Sequence, residues 1–416
     1  MKKRALIVTV GTGTRSDVQI FKPLKKAIEE YHTDFVWLAA SSGSRSNAEI
    51  IVRELALATE DYAIALLSDI DDFQAVFQDI NAVFQDLFSR GFAPDEIEID
   101  FTSGTKAMSS GAVLAAIHNQ CRSINYITGQ RKDGVVIDGT EQFRKIRPAM
   151  VFAAYDLKRA RDFILKLRFD TAEQLLHGLT LVDTRDQALA QQLRHIAEGY
   201  RLWDLFNHKG ALAKLKHLDG TLKETAAFRP TPAAAKALEE LAQGKTAPKD
   251  LLLIDLFNNA ERRCHEGRYD DAVARLYRTT ELLAQYVLER DFKIVSGDVD
   301  PIKIKVPDTM REGLERLRDK RDNKIKIGLD WDYRLLEGLG HDLGVSYTAN
   351  ESLQGQLRQR NQSILAHGLE PMTANMYRNL KASILSLIAT SIPDFATRAA
   401  ALQFPWLGDH KAGGDA

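Results

Sequence analysis

Short apolar runs alternate with amphipathic segments through the first 147 residues of the chain. The runs are rich in β-branched and aromatic residues and predict strands at 5–10, 35–40, 62–67, 97–101 and 123–128. Between them, apolar residues recur at helical spacing and predict helices at 17–31, 44–57, 71–88 and 105–119. Strands separated by helices are typical of an α/β fold with a parallel, doubly wound sheet, so we expect a Rossmann-like domain over 1–147.

Beyond this domain the strand pattern gives way to helical spacing. Two short runs at 135–138 and 143–146 can close the first domain as a hairpin. Residues 148–248 are then predicted to form an all-α connecting region. Pro230, Pro232 and the stretch 244–248 are the clearest punctuation between domains.

The third part of the chain, 249–400, is again predicted to be all-α. Its strongest helical periodicity lies in 250–292, followed by an irregular stretch at 294–310. Further helices are expected at 311–320, 331–339, 351–366 and 374–392. The tail, 401–416, ends in polar and glycine-rich sequence, which is typical of disorder.

Composition places the chain among soluble globular proteins. Of its 416 residues 44% are hydrophobic and 27% charged, and the net charge is −1, so any contact with RNA must come from a local patch. The two cysteines, Cys121 and Cys264, lack the spacing of zinc ligands, and we expect free buried thiols in a reducing compartment. The first apolar run is too short for a secretory signal, and no run approaches the roughly 20 residues of a membrane span. We therefore expect a cytoplasmic protein with no membrane partner.

Two loops at the ends of predicted strands carry residue types that bind phosphate. The first strand is followed by Gly11-Thr12-Gly13-Thr14-Arg15, and the fourth by Thr102-Ser103-Gly104-Thr105-Lys106. Ligands of doubly wound sheets bind at the carboxyl ends of strands. Glycines let backbone N–H groups approach a ligand closely, while hydroxyls and cationic side chains add donors. The pair of loops predicts a site for a phosphate-rich ligand.

Other nucleotide sites fit these loops less well. The dinucleotide fingerprint is incomplete because position 16 is serine, and the second strand ends without an acidic residue for a ribose. The chain also lacks the Gly-x-x-x-x-Gly-Lys-Ser/Thr sequence of a P-loop. A nucleotide-binding oxidoreductase and a P-loop ATPase are therefore disfavoured, although either loop alone also suits an ordinary turn.

The stretch 102–111 resembles the second motif of CRISPR-associated Rossmann-fold (CARF) domains, and the loop 11–15 fits their first motif. The resemblance covers about 1–147. It implies a domain that dimerises and binds a ring of 3′,5′-linked adenylates, a tetra- or hexa-adenylate, across the twofold axis as an allosteric activator. The ring-binding residues that it implies are Gly11, Thr12, Gly13, Thr14, Arg15, Ser103, Gly104, Thr105, Lys106 and Met108.

The C-terminal candidate site is the stretch 360–368, in which Arg360 and His367 are seven positions apart. On a continuous helix both project from nearly one face, about 10 Å apart along the axis. His367 then lies in the last turn before Gly368, where the helix dipole favours a protonated imidazole. One such pair is too spread out to act on a single phosphate, but two pairs across a dimer axis can surround it.

Arginine and histidine suit the cleavage of RNA, because RNA carries its own nucleophile in the 2′-hydroxyl. Arginine stabilises charge on the phosphoryl oxygens through fixed donors, and histidine moves protons near neutral pH. This chemistry needs no metal, and the chain contains neither His-x-x-x-His nor Cys-x-x-Cys. The spacing alone is weak evidence, because any helical chain rich in arginine produces it by chance.

The stretch from Arg360 to His367 resembles the Arg-x4–6-His motif of HEPN ribonucleases. Asn361 follows the arginine, and six residues separate the arginine from the histidine. The resemblance extends loosely over 250–395. It implies that Arg360, Asn361 and His367 are catalytic and that the reaction needs neither a metal nor a cofactor. Further candidates for the same cleft lie on a preceding helix: Arg275, Tyr277, Arg278 and Glu281. A solvated helix face with ion pairs three residues apart explains this second group equally well.

Together the two resemblances imply a CRISPR-associated CARF–HEPN ribonuclease of the type III ancillary class. Such a protein is a homodimer that binds cyclic oligoadenylate and then cleaves single-stranded RNA, leaving 2′,3′-cyclic phosphate and 5′-hydroxyl ends. Two alternatives remain open. One is a non-catalytic CARF regulator whose helical half docks a partner, and the other is a ring nuclease that acts on the cyclic oligoadenylate near Thr12, Thr105 or Lys106.

Overall fold

The computed structural model describes residues 3–12, 21–132, 135–137, 139–179, 181, 183–218 and 220–407. They form two compact units. The first contains the described residues up to Asp156 together with those between 179 and 187, and the second contains 157–178 together with the described residues from Ala188 to Leu407.

A mixed sheet of six strands forms the first unit, in the order β3-β2-β1-β4-β5-β8. Its strands are β1 (Ala5–Val10), β2 (Phe35–Ala40), β3 (Tyr62–Leu66), β4 (Ile97–Asp100), β5 (Ser123–Thr128) and β8 (Gln142–Ile146). The first five run parallel to one another, and β8 pairs antiparallel with β5 at the edge of the sheet. The predicted Rossmann-like sheet is confirmed, with an antiparallel edge strand added to it.

Helices cover both faces of this sheet: α1 (Phe21–Tyr31), α2 (Arg45–Glu54), α3 (Phe73–Ser89) and α4 (Lys106–His118). Successive residues of β1 point to opposite faces, so Ile7 packs in the core beneath α3 and α4 while Leu6 and Val8 pack on the other side. All six residues of β1 are buried, which explains why this strand is a continuous apolar run.

Small residues let α4 lie close to its neighbour α3. A Cβ added at Gly111 would lie 2.7 Å from a methyl carbon of Val76 and 3.0 Å from the backbone nitrogen of Phe77. Ala112 and Ala115 on the same helix are fully buried. The apolar positions of α4 therefore serve close helix packing and hold its N-terminus at the end of β4.

The predicted hairpin of 135–138 with 143–146 is wrong in its pairing. The short strand β7 (Val135–Val136) instead pairs with β6 (Arg131–Lys132) in a separate two-stranded sheet. Gln142–Ile146 joins the main sheet, because its backbone finds partners along the open edge of β5.

The remaining regular structure of the described chain is mainly helical. The helices are α5 (Pro148–Leu165), α6 (Phe169–His177), α7 (Thr184–Asp204), α8 (His208–Leu215), α9 (Pro232–Leu241), α10 (Lys249–His265), α11 (Tyr269–Phe292), α12 (Asp308–Glu315), α13 (Leu329–Gly338), α14 (Asp342–Thr348), α15 (Glu351–Gln359), α16 (Ala374–Ala389) and α17 (Phe395–Ala401). The short helices α14 and α17 were not predicted from the sequence. No helix among the described residues combines the length and apolarity needed to cross a membrane.

A buried ionic network ties α7 to α10 within the second unit. Arg262 is fully buried and donates to Asp204 Oδ1 at 2.8 Å and to Asp255 Oδ1 at 3.1 Å. His208 on α8 lies 2.8 Å from the other oxygen of Asp255. The Arg262 guanidinium also lies 4.1 Å from the centre of the Phe404 ring. Residues on both sides of the proline-rich and glycine-rich stretch at 230–248 therefore share one buried cluster.

Candidate functional sites

The two predicted phosphate-binding loops meet in the first unit. Strands β1 and β4 are neighbours in the sheet, so the loops that follow them leave the same edge. A Cβ added at Gly11 would lie 2.8 Å from the backbone nitrogen of Gly104. Only a glycine at position 11 allows this approach, which places the backbones of the two loops in contact.

Hydroxyl groups hold the second loop in its shape. The Gly11 N–H donates to Ser103 Oγ at 3.0 Å, and the Thr9 hydroxyl donates to the Ser103 carbonyl oxygen. Thr105 is the N-cap of α4, accepting from the Met108 N–H at 3.1 Å and donating to the Ile70 carbonyl oxygen at 2.5 Å. The hydroxyls of Ser103 and Thr105 thus position the loop backbone.

Other predicted residues of this loop differ in exposure. Gly104 is exposed and has φ +122°, a backbone conformation that favours glycine. Lys106 is exposed in the first turn of α4, where a cation can meet a bound anion. Met108, in contrast, is fully buried, and a Cβ at Gly104 would lie 3.0 Å from its sulfur. The structure gives Met108 a packing position beneath Gly104, away from the open side of the loop.

Two residues that the sequence analysis did not single out secure the first loop. Ser44 Oγ donates to the Val10 carbonyl oxygen at 2.6 Å, and Asn47 Nδ2 donates to the Gly11 carbonyl oxygen at 2.9 Å. Ser44 is fully buried and also lies 2.9 Å, oxygen to oxygen, from Ser41. Serines three positions apart at the end of a strand are the sequence signal that could have revealed this support.

A buried carboxyl group lies at the end of β4. Asp100 accepts from the Thr102 N–H at 2.9 Å and from the Tyr31 hydroxyl at 3.2 Å. Burial raises the pKa of Asp100 to about 6, because a charged carboxylate loses hydration there. Burial likewise raises the pKa of Tyr31, so its hydroxyl keeps the proton that it donates. Asp100 therefore fixes the start of the Thr102–Lys106 loop.

Of the predicted ring-binding residues, Gly13, Thr14 and Arg15 lie outside the described residues. Thr12 is described and exposed, and its methyl group lies 3.3 Å from where a Cβ of Gly43 would be. The described part of the predicted ligand site is thus formed by the ends of β1 and β4 with support from the end of β2.

In the second unit, the predicted helix 351–366 is wrong at its C-terminal end. Helix α15 ends at Gln359, and a short 3-10 helix, Arg360–Gln362, follows it. The chain then folds back, with Ser363 forming a parallel bridge to Glu370. His367 lies in this returning loop and not in the last turn of a helix, so the predicted effect of a helix dipole on its imidazole is wrong.

Backbone contacts define the returning loop. The His367 N–H donates to the Asn361 carbonyl oxygen at 3.2 Å, and the Gly368 N–H donates to the Ser363 carbonyl oxygen at 3.2 Å. A Cβ added at Gly368 would lie only 2.0 Å from the carbonyl oxygen of Gln362. In a helix, positions 361 and 367 would be about 9 Å apart along the axis. The fold instead brings the His367 backbone into contact with Asn361, and glycine at 368 permits the return.

Arg360 lies against an aromatic ring of α11. Its guanidinium carbon is 4.7 Å from the centre of the Tyr277 ring, and its Nη1 lies 3.5 Å from Asn361 Oδ1. Asn361 and His367 are both exposed. The structure therefore brings a half-buried guanidinium, an amide and an exposed histidine together on one short loop.

Three apolar residues of this loop are exposed to solvent. The side chains of Ile364 and Leu365 are 63% and 48% exposed, and that of Leu369 is 86% exposed. In a helix these residues would share a face with the core, but the returning loop turns them outward. The tip of the loop is therefore an exposed apolar surface beside Arg360.

The remaining candidates on α11 divide into two kinds. Arg278 is exposed and pairs with Glu281, three residues away, at 2.5 Å, whereas Arg275 pairs with Asp271, four residues away, at 3.0 Å and also donates to the buried Asn259 on α10. Tyr277, in contrast, does line the cleft. Burial raises its pKa, so the phenol remains protonated at neutral pH.

A cavity of about 450 Å³ opens beside this loop. It is lined by Tyr277, Gly328, Leu329, Asp330, Trp331, Tyr347, Gln354, Leu357, Arg358 and Asn361. These residues come from α11, α13, α14 and α15 and their flanking loops, which no local sequence pattern could have grouped. Within the described ranges, no cluster of three or more histidine, cysteine, aspartate or glutamate residues could hold a metal ion.

Comparison with known proteins identifies the helical part. Residues 152–247 match the family model described as Csm6 6H domain, and residues 242–391 match the model described as Csm6 HEPN domain. Together the two matches cover more than half of the chain. The two models meet at 242–247, near the stretch predicted as punctuation. A search of curated proteins finds no match.

Among solved structures, the chain is similar to Enterococcus italicus Csm6 bound to cyclic hexa-2′-fluoro-hexa-dAMP. The TM-score is 0.60 at 13% sequence identity, and the similarity covers 98% of this chain and 100% of the other. At that identity the similarity concerns the fold, and it extends through the N-terminal sheet as well as the helical part.

Proposed function

Because the chain belongs to the CRISPR-associated CARF–HEPN proteins, we propose that it is an endoribonuclease activated by cyclic oligoadenylate. Its substrate is single-stranded RNA, and the reaction needs no metal. The observation that supports this most is the returning loop, which brings the His367 backbone into contact with Asn361, while the Asn361 side chain lies 3.5 Å from the Arg360 guanidinium.

The proposed reaction is an attack of the RNA 2′-hydroxyl on the adjacent phosphorus. The O–P bond to the 5′-oxygen of the next nucleotide breaks, and the products are a 2′,3′-cyclic phosphate and a 5′-hydroxyl. The 2′-hydroxyl loses a proton and the departing 5′-oxygen gains one, and His367 is the group that transfers protons. Arg360 stabilises the negative charge that develops on the phosphoryl oxygens, and Asn361 positions the phosphate.

A homodimer fits this site, because one copy supplies one arginine and one histidine on the exposed loop. Two copies related by a twofold axis would place two such sets around one scissile phosphate. The exposed apolar tip, formed by Ile364, Leu365 and Leu369, gives each copy a surface that a second subunit can cover.

The proposed activator site uses the two loops of the first unit. The backbones of Gly11 and Gly104 approach each other, and Lys106 supplies an exposed cation for a ring phosphate. Thr12 and the neighbouring Gly13-Thr14-Arg15 complete the proposed ring contacts. Met108 acts from below by supporting Gly104.

Activation follows from differential binding. The ring shifts the population toward the arrangement in which the catalytic groups are competent, because it binds that arrangement more tightly. Cleavage of the ring itself by the first unit is a separate activity that can be measured. The candidates for such an activity remain Thr12, Thr105 and Lys106, of which the Thr105 hydroxyl donates to the Ile70 carbonyl oxygen and accepts from the Met108 N–H.

The test is cleavage of a fluorescent single-stranded RNA in EDTA, with cyclic tetra-adenylate, cyclic hexa-adenylate or neither. We expect one ring to activate the wild-type chain, His367→Ala to abolish cleavage, and His177→Ala to leave it unchanged. His177 is a matched control because it is an exposed histidine on α6. Product ends should be 2′,3′-cyclic phosphate and 5′-hydroxyl.

Other outcomes assign the chain differently. Ring binding without RNA cleavage would indicate a non-catalytic regulator. Ring turnover that persists in Arg360→Ala, with no cleavage of RNA, would indicate a ring nuclease. Cleavage that disappears in EDTA and returns with a divalent cation would contradict the metal-independent mechanism.

A further inference from the structure

The cavity beside the returning loop combines aromatic rings with hydrogen-bonding groups. We propose that it is a subsite for one purine base of the RNA, next to the scissile phosphate. The proposal rests on the proposed ribonuclease function and adds a specificity pocket to it.

Tyr277 connects the cavity to the catalytic loop. Its ring lies 4.7 Å from the Arg360 guanidinium carbon and also lines the cavity. Stacked aromatic rings have centroids about 4.5–7 Å apart, so a base on Tyr277 would lie within roughly 12 Å of Arg360. That distance is within the reach of a single nucleotide whose phosphate contacts Arg360.

Trp331 provides a second aromatic surface that is fixed in place. A Cβ added at Gly313 would lie 2.6 Å from the far end of the indole, so α12 supports the ring closely. Tyr347 in turn stacks on Tyr333 with ring centres 3.8 Å apart. Rigid aromatic rings suit bases, which stack on aromatic side chains in single-stranded RNA.

Polar atoms of the lining favour a base that carries an amino group. Both hydrogens of the Gln354 amide are donated, to the carbonyl oxygens of Tyr347 and Thr348 at 3.0 Å each. Gln354 can therefore only accept from a ligand, through Oε1. Asp330 is also an acceptor: its Oδ2 pairs with Arg334 at 3.0 Å, and the side chain is 63% exposed, so Oδ1 can accept from a ligand. Two acceptors match the exocyclic amines of adenine and guanine, and stacking favours the larger purine ring.

An exposed cation completes the site. Arg358 lines the cavity and is exposed, and no carboxylate among the described residues forms an ion pair with it. A guanidinium in this position can contact the phosphate of the bound nucleotide. The cavity thus offers stacking, acceptors for a base and a donor for the backbone.

The experiment uses the full-length chain with its activating ring and oligonucleotides that contain a single ribose. Each substrate then has one cleavable bond, and the base on either side of it is varied among adenine, guanine, cytosine, uracil and an abasic site. We expect kcat/KM at one of the two positions to be about tenfold higher with a purine than with the abasic site. Trp331→Ala should reduce that ratio to near one, while Trp331→Phe should keep most of it.

The abasic substrate separates specificity from folding. Its cleavage should be unchanged in Trp331→Ala, because the pocket is then empty in both proteins. Asp330→Asn is a second variant, at an exposed position. It should lower the ratio of kcat/KM for purine substrates to kcat/KM for the uracil substrate.

Three results would overturn the proposal: no base preference in the wild type, an equal loss on purine and abasic substrates, or an unchanged preference in both pocket variants. If the wild type cleaves no RNA with either ring, the proposed function fails instead. Anisotropy with all-deoxy oligonucleotides then tests the pocket alone, where weaker binding of the abasic strand in the wild type supports it. Equal binding of the two strands refutes it.

Discussion

Replacing Gly368 by alanine tests whether the returning loop sets the geometry of the Arg–His site. The new Cβ would lie 2.0 Å from the carbonyl oxygen of Gln362 and 2.4 Å from its carbonyl carbon. These are backbone atoms, which cannot swing aside as the end of a side chain can. Real Cβ atoms essentially never lie closer than 3.0 Å to such a neighbour. The backbone at 368 and the backbone at 362 must therefore move apart by about 1 Å to admit the new Cβ.

A displacement of this size is enough to impair catalysis by positioned groups. Misplacing a catalytic group by about 1 Å costs about 100-fold in rate. Overpacking of this kind lowers the free energy of unfolding by about 1–3 kcal/mol. We therefore expect Gly368→Ala to fold but to cleave RNA about 100-fold more slowly than the wild type under ring activation.

The assay is single-turnover cleavage of single-stranded RNA, paired with thermal unfolding and amide hydrogen exchange. The N–H groups of His367 and Gly368 should exchange faster in the variant, because their hydrogen bonds to Asn361 and Ser363 are lost. Gly355→Ala is the matched control: a Cβ there has no neighbour within 4 Å, and alanine favours the α15 helix by about 1 kcal/mol. Wild-type cleavage and wild-type exchange in Gly368→Ala would refute the reasoning.

Three further predictions concern stability and the activator site. Arg262→Ala removes the buried guanidinium that Asp204 and Asp255 share, and it should lower the free energy of unfolding in urea by about 3–5 kcal/mol. The exposed control Arg316→Ala should change that free energy by less than about 0.5 kcal/mol, and similar losses in the two variants would contradict the role of the network. Asp100→Asn removes a carboxyl whose pKa burial raises to about 6, so the wild type loses stability relative to the variant as pH rises from about 4 to about 6. In urea titrations at pH 7 the free energy of unfolding of the variant should exceed that of the wild type by on the order of 2–3 kcal/mol, and this difference should vanish near pH 4. A difference that does not depend on pH would contradict the raised pKa. Ser103→Ala removes the acceptor of the Gly11 N–H and should weaken ring binding about fivefold to tenfold by calorimetry, with unchanged affinity as the contrary result.

Side-chain periodicity determined much of the first unit. The buried run of β1 and the helical spacing that follows predicted the sheet, because alternation with period two and spacing with period 3.6 are local properties of the chain. The same patterns placed Gly11 and Ser103 at strand ends, where the sheet brings them together. They could not predict that 142–146 would pair antiparallel with β5, since an edge strand finds its partner through distant backbone groups.

The Arg360–His367 site shows where local patterns end. The sequence supplied the residue types and the motif, yet periodicity predicted a helix through 366, because neither glycine nor proline interrupts 356–367. The break at Gln359 is stabilised by hydrogen bonds that return from Ala366, Gly368 and Glu370 to the start of the loop. Such bonds form only when the loop closes, so propensity cannot anticipate them.

The sequence by itself thus determined the order of the elements, the strand ends that carry the first loops and the residues of the Arg–His motif. Tertiary structure alone decided which residues surround that motif, since Tyr277, Trp331 and Arg358 lie on different helices and meet at one cavity. The physical reason is that helical and strand periodicity arise within a few residues, whereas a cavity depends on how distant elements pack.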